Sequence, residues 1–544
     1  MWCCDETGAD PDAARRMIWR RVAFVAPLVF LGVFFVYPVV TILGRGLWPG
    51  GALDLDSLGS VWTDGSLRSV VWFTLWQAAL STGLTLALGL PGAYVLSRLE
   101  FPGRTLVRTL VTVPFVLPTV VVGSAFLGLG VAPSVGAIVL AHVFFNYAVV
   151  VRTVGALWSN LDPHQEDAAR VLGATRARAF IAVTLPALRP AILAATAITF
   201  LFTFTSFGVI LVLGPPTRAT IETEIYRQTA QLLDLRTAAA LSVAQLVVIL
   251  VLLLVIARLT GRTGTALALR AGRATTRRIR SIGDRALLLG NLAIMGVLLG
   301  VPVAVLVVRS FDTPAGFGLD FYRSLGALRA DSIAFVPPVD AIVNSLLFAT
   351  AATLIALVVG GMASFVIARS GQGRLLDATL ALPLGVSAVT VGFGFLIALD
   401  APPLDLRESW ILVPIAHALI AIPFVVRVAT PVLRSVDPRL REAAAVLGAP
   451  PRRVWREIDL PIAARALALG SGFAFAISLG EFGATSFLAR PDRPTLPIVV
   501  FRLLGQPGAQ SFGTAMAAAT VLAALTALAV LAVDRARVGP VGTF

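Results

Sequence analysis

Glu481 sits in the run FAFAISLGEFGATSFL, where it is the one ionisable side chain among apolar and small neighbours. A charge in hydrocarbon costs roughly 2.5–3.5 kcal/mol on insertion scales, so a chain that keeps one there uses it. The carboxylate can offer a fixed negative charge to a passing cation. Alternatively, an arginine or backbone N–H groups can hold it, and it then serves packing or a gate. Gly480 and Gly483 flank it and permit a local helix break or a close approach of backbones. Earlier in the chain, FTFTSFGVIL sets Ser206 and Gly208 at the matching places. Glu481, Gly483, Ser206 and Gly208 are therefore the candidate lining of a substrate pathway, with the charge in one half only.

Other reactive residue types are scarce. His142 and His417 recur 275 positions apart with no carboxylate or cysteine beside either in sequence, and they read as helix-packing residues. Asn146 adds a polar contact near the first of them. Cys3 and Cys4 are adjacent, which suits neither a disulfide framework nor a zinc site. All 44 basic residues are arginine, and without lysine the chain cannot form a Walker A phosphate loop. No catalytic residue and no metal site is expected.

The elements that must position Glu481 are apolar. The 544 residues are 57% hydrophobic and 14% charged, well below the roughly 25% charged of soluble domains. Twelve runs reach the ~20 residues a bilayer crossing needs: 23–44, 69–96, 109–129, 135–157, 187–213, 237–259, 286–308, 341–368, 375–399, 410–433, 462–488 and 511–533. The first is too long for a cleaved signal, and no small-residue cleavage site follows it. With the N-terminus inside, 32 of the 44 arginines fall on the cytoplasmic side. This is the positive-inside asymmetry, so the net charge of +14 records orientation and excludes a nucleic-acid partner. Both termini are then cytoplasmic, and the loops 45–68, 214–236, 309–340 and 489–510 face outward.

Two passages break the apolar pattern and repeat one another. DAARVLGATRARAFIAVTLP begins at Asp167, and EAAAVLGAPPRRVWREIDLP begins at Glu442. At an offset of 275, eleven of the 25 positions 162–186 are identical. The chain is thus two parallel six-span repeats. Each passage reads as two short cytoplasmic helices between the fourth and fifth spans. Asp162-Pro163 and Asp437-Pro438 supply an N-cap and a first-turn proline. Gly173 and Gly448 supply the left-handed residue that ends the helix. Alanine pairs at 168–169 and 443–444 keep one face low, so another surface can approach. From the residues alone, these modules either rest on lipid headgroups or dock a symmetric partner.

The pattern E/D-Ala-Ala, Gly, Ile/Val-x-Leu-Pro resembles the EAA loop of ABC importer permeases. It is carried by Glu166, Asp167, Ala168, Ala169, Gly173, Val183, Leu185 and Pro186, and by Glu442, Ala443, Ala444, Gly448, Ile458, Leu460 and Pro461. The resemblance implies that these loops form coupling helices seated on two copies of an ABC ATPase. Asp167 departs from the family's Glu, and its shorter side chain makes the two dockings unequal. A fused twelve-span chain resembles the thiamine-type and ferric-iron-type permeases; LAHVFFN (140–146), TIETEIY (220–226) and SLGEFGATSF with the later TLP favour the thiamine type.

The resemblance implies an all-α polytopic protein of the inner membrane. Its expected parts are a tail 1–22, a first transmembrane domain 23–259, a linker 260–285, a second transmembrane domain 286–535 and a tail 536–544. It further implies a small-molecule cargo, a separate extracytoplasmic solute-binding protein, and ATP with Mg on the partner ATPase, with no cofactor in this chain. Ion-coupled secondary transport would call for several mid-membrane carboxylates, and a scaffold would keep the loops without a route.

Overall fold

The computed structural model describes residues 11–48, 56–261, 276–279, 281–327, 336–369, 373–402 and 404–536. Cys3, Cys4, residues 262–275 of the linker and residues 537–544 lie outside them. Ten described helices are long and apolar enough to cross a bilayer. The fold is an all-α polytopic membrane protein, as the composition requires.

The crossings that are not straight hold the information. The third is Arg104–Val116 followed by Thr119–Gly128, bent by 102°. The cause is Pro118, whose ring drives the preceding residue out of the helical region; Leu117 is extended at φ −63°, ψ 139°. The stretch 375–399, expected as a ninth span, is split the same way. It comprises Gly373–Ala381, a 3-10 turn Leu382–Gly385 and the 11-residue Ala388–Ala398, with Val386 extended at φ −115°, ψ 138°. Ser387 then caps the second piece by accepting from the Thr390 N–H.

The fifth and eleventh spans also differ from the unbroken runs 187–213 and 462–488. Their helices are Arg176–Phe204 and Arg452–Gly480, and each stops short. Short helices Gly208–Leu213 and Thr485–Leu488 follow after a break. Both helices start earlier than the apolar pattern does, through five-residue π turns at Phe180–Thr184 and Trp455–Asp459. Those turns lie 275 positions apart, so the irregularity belongs to the design of the repeat and is not a local accident.

The chain forms two contact units that cut across the sequence halves. One joins the described part of Met1–Ile42 to Ser345–Ala484 and the described part of Leu528–Gly539. Within it, Phe34 of the first span packs on Phe395 at 6.2 Å between ring centroids. A Cβ on Gly394 would meet Pro38 at 3.0 Å, so the first span lies close against Ala388–Ala398. The other unit holds Leu43–Asn344 and Thr485–Ala527. There the seventh span, Ile282–Phe311, buries Met295 and Leu299 in a core with Leu96, Phe144 and Tyr147, and Arg309 Nε donates to the Gly128 carbonyl at 3.3 Å. Each half's first span therefore packs on elements of the other half.

The end of the linker is fastened within this second unit. Arg277–Arg278 pairs in parallel with Leu99–Glu100. Arg277 donates to both carboxylate oxygens of Asp284 at 2.7 and 2.9 Å and to the Tyr94 hydroxyl at 2.8 Å. The bonds to Asp284 hold the Arg277 guanidinium above the ordinary arginine range.

Contact between the second span, Gly65–Arg98, and the fourth, Val135–Trp158, depends on the absence of a side chain at residue 92. A Cβ there would collide with the Tyr147 Oη, an atom with no hydrogen-bond partner among the described residues. Gly92→Ala is expected to destabilise the protein by about 1–3 kcal/mol through overpacking. Thermal unfolding in detergent should show a lowered midpoint that Gly92→Ala plus Tyr147→Phe partly recovers.

Candidate functional site

In the first of the two repeated loops, Asp162 Oδ1 accepts from the His164 N–H at 3.0 Å and starts the helix His164–Val171. Asp437 does the same for Arg439 at 2.9 Å, ahead of Pro438–Val446. Gly173 and Gly448 then take φ +93° and +78°, which ends both helices at one register. Ala168 and Ala443 are exposed, and Ala169 and Ala444 are half-buried. Leu172 lies beyond the first pair on the same stripe. Asp167 and Glu442 are exposed as well.

The sequence pattern does not announce how the tip of each loop is finished. Val171 and Leu172 are each 87% exposed, and Val446 and Leu447 are 87% and 86% exposed. Single exposed leucines are ordinary, but two adjacent apolar residues standing almost wholly in solvent, twice, at equivalent positions, form a matched pair of knobs.

Behind the knobs, each loop is latched to the π turn that opens the next span. In the first half the Thr184 hydroxyl donates to Glu166 Oε2 at 2.9 Å. Buried Arg98, at the end of the second span, is attracted to Glu166 and Asp162. In the second half the same two positions carry Arg441 and Asp459, whose Nε–Oδ1 distance is 2.8 Å. Arg369, at the end of the eighth span, reaches the same Asp459 oxygen at 2.5 Å. The latch is conserved in position and exchanged in chemistry. Leu185 and Leu460, each 38% exposed, begin the membrane helices beyond it, followed by Pro186 and Pro461.

At the far end of those helices lie the four pathway candidates, all buried. Glu481 is not inside a helix: it ends Arg452–Gly480 with an extended backbone at φ −70°, ψ 123°. Its side chain is 4% exposed. Oε1 accepts from the Ala484 N–H at 2.9 Å, and Oε2 stands 3.2 Å from His417 Nε2. His417 Nδ1 lies 2.7 Å from the Ser478 hydroxyl. The carboxylate thus satisfies the broken backbone and a buried imidazole. Gly483 packs tightly, since a Cβ there would lie 3.0 Å from Ala388.

His417 does have a carboxylate partner, which corrects the expectation drawn from sequence neighbours alone. The partner is 64 positions away and arrives only through packing of the tenth span on the eleventh. The first half repeats the geometry without charge. His142 Nε2 lies 2.8 Å from the Ser206 hydroxyl, and Nδ1 lies 3.1 Å from Ser81. Gln77 Nε2 donates to the Thr203 carbonyl at 3.0 Å, and Asn146 donates to the His142 carbonyl at 3.0 Å. Among the described residues, no cluster of three or more His, Cys, Asp or Glu is placed to hold a metal ion.

Residues 83–263 and 352–537 each match the family described as binding-protein-dependent transport system inner membrane component. The thiamine transport system permease protein ThiP of Brucella abortus (strain 2308) is 29% identical over 481 residues, covering 81% of this chain and 83% of its own. A probable ABC transporter permease protein, y4fN, of Sinorhizobium fredii (strain NBRC 101917 / NGR234) is 25% identical over 524 residues, covering 89% and 90%. A solved bacterial ABC transporter involved in the import of the acidic polysaccharide alginate aligns with 47% of this chain and 99% of its own, at 18% identity and a TM-score of 0.39.

Removing Asp459 leaves Arg441 and Arg369 without their shared acceptor, whereas removing the Thr184 hydroxyl breaks one neutral-donor bond. Asp459→Ala is expected to cost the second loop about 1–3 kcal/mol, and Thr184→Val to cost the first about 1 kcal/mol. Hydrogen–deuterium exchange over 438–447 and 164–172 measures both. At the break, Glu481→Ala strands the Ala484 N–H and should lower the thermal midpoint by the equivalent of about 1–3 kcal/mol. Glu481→Gln keeps an acceptor there and is expected to recover most of the loss.

Proposed function

The chain belongs to the binding-protein-dependent transport system inner membrane components and is an ABC importer permease; on that premise we propose that it carries a thiamine-like organic cation across the inner membrane, driven by ATP hydrolysis in two separate ATPase subunits. The matched pair of exposed apolar knobs carries this reading. Val171-Leu172 and Val446-Leu447 stand in solvent at equivalent places, each closed by a left-handed glycine. Two like protrusions fit two like grooves, which is what a dimeric motor offers.

The EAA residues divide into two tasks on this reading. Asp167, Ala168, Ala169 and Leu172, with Glu442, Ala443, Ala444 and Leu447, form the docked faces. Glu166 and Arg441 hold those faces to the π turns, through Thr184 and Asp459. Ser206, Gly208, Glu481 and Gly483 belong to the breaks that rearrange as the pathway opens. Differential affinity for cargo between inward- and outward-facing states supplies direction. The likeness to thiamine permeases over most of both chains supports the cargo assignment.

Because the knob side chains stand almost wholly in solvent, their replacement should leave the fold intact. Leu172→Asp and Leu447→Asp should each reduce retention of the ATPase subunit on purification at least tenfold, with the permease's thermal midpoint unchanged. Uptake of radiolabelled thiamine into proteoliposomes holding the whole complex should stop in both variants, and ferric iron should not compete with it. Solute movement by the purified chain alone, with no ATPase present, overturns the reading.

A further inference from the structure

Among the described residues, Leu233 is the only one other than glycine with a positive φ, +58°. A left-handed backbone crowds Cβ against the following carbonyl, so glycine is its ordinary occupant and leucine is not. The turn requires the conformation. The N–H groups of Gln231 and Leu232 both bond the Arg227 carbonyl at 3.0 Å, and the Asp234 N–H bonds the Gln228 carbonyl at 2.8 Å. These bonds close the helix Ile221–Ala230 before the sixth span begins at Leu235.

The other half turns at the equivalent position on a glycine, with hydrogen bonds of its own. At the position 275 residues on, Gly508 is also left-handed, with φ +106°, and Pro507 replaces Leu232. Strain held at one copy of a repeated turn and absent from the other points to a use outside folding. Packing within the chain does not supply that use, because Leu232 is 57% exposed and Leu233 is 77% exposed.

Two observations identify what covers the leucines. The arginine asymmetry places the loop 214–236 outside the membrane. Asp234 then caps the sixth span, accepting from the Arg236 and Thr237 N–H groups at 3.1 Å and from the Thr237 hydroxyl at 2.7 Å. Leu232 and Leu233 precede that carboxylate, on its water side, among exposed Gln231, Asp234 and Arg236. An apolar pair so placed meets a soluble surface and not acyl chains. The family's dependence on a binding protein supplies a soluble partner on that side. A single-chain binding protein presents different surfaces to the two halves, so a contact built into one half alone suits it.

We propose that Leu232 and Leu233 form an apolar knob that seats in a recess on the extracytoplasmic solute-binding protein and anchors it to the first half of the permease. The inference rests on the importer reading above and adds a footprint to it. The strained backbone is retained because it aims Leu233 outward at the partner.

The test uses the permease reconstituted in nanodiscs with its ATPase subunits. Into this is titrated the purified binding protein that raises wild-type ATP hydrolysis. Leu233→Gly relieves the turn, so the thermal midpoint should hold or rise and basal hydrolysis should not change. The binding-protein concentration giving half-maximal stimulation should nonetheless rise about tenfold, as for loss of a central apolar contact. Leu232→Ala should move the same way. An unchanged half-maximal concentration in Leu233→Gly overturns the knob and leaves the importer reading standing. Wild-type hydrolysis indifferent to every binding protein overturns both. Quenching of Leu233→Trp fluorescence by brominated acyl chains, beyond that of wild type, also overturns the knob by placing the residue in lipid.

Discussion

A backbone that leaves the helix inside a membrane must find its hydrogen bonds within the chain, because no water is there to supply them. This protein interrupts its fifth and eleventh spans at Thr205–Phe207 and Glu481–Ala484, and much of its buried polarity answers that demand. Gln77 serves the Thr203 carbonyl, and Glu481 accepts from Ala484. The two histidines sit where the fourth and tenth spans face these breaks, each within hydrogen-bond reach of the residue at the break itself. Polar side chains in otherwise apolar helices are therefore the counterpart of the breaks. Were the spans continuous, these groups would be costly and without use.

The halves share geometry more faithfully than chemistry. Glu166–Thr184 and Arg441–Asp459 occupy one pair of positions, yet the first is a hydroxyl on a carboxylate and the second an ion pair joined by Arg369. Ser206 and Glu481 meet equivalent histidines, one neutral and one charged. Duplication fixes where a contact must be, and each copy is then free to choose how it is made. The second half holds its loop with two arginines on one carboxylate, and the first with a hydroxyl and Arg98 about Glu166.

The sequence made the architecture legible because its signals are long and additive. Apolar length gave ten of the twelve runs as long helices, the fifth and eleventh shifted along the chain, and the 275-residue register identified both repeated loops and their glycines. It failed where one residue decides the path. Pro118 drives Leu117 out of the helix, but neither residue's type gives the 102° angle of the bend. The run holding Glu481 was read as continuous helix, since Gly480 and Gly483 permit a break without requiring one. His417 seemed isolated because its partners come from a neighbouring helix. The solvent-facing tips were unreadable for a related reason: Val-Leu before glycine is the same text whether the pair is buried or bare.

The fifth and eleventh spans tie these features together. Beyond its π turn each runs as one helix, Leu185–Phe204 and Leu460–Gly480, of 20 and 21 residues, or about 30 Å at 1.5 Å per residue. The latch residue, Thr184 or Asp459, is the last of the π turn and stands immediately before the rod. The residue at the break, Ser206 or Glu481, stands at or just past its other end. Leu460–Gly480 runs without an interior proline, whereas Leu185–Phe204 carries Pro190 inside it, a place where a helix bends. On the proposed reading, a push on Leu172 or Leu447 passes through the latch into a long helix that ends at the break. The place where a histidine meets the side chain at the break is then the place where that displacement must be taken up.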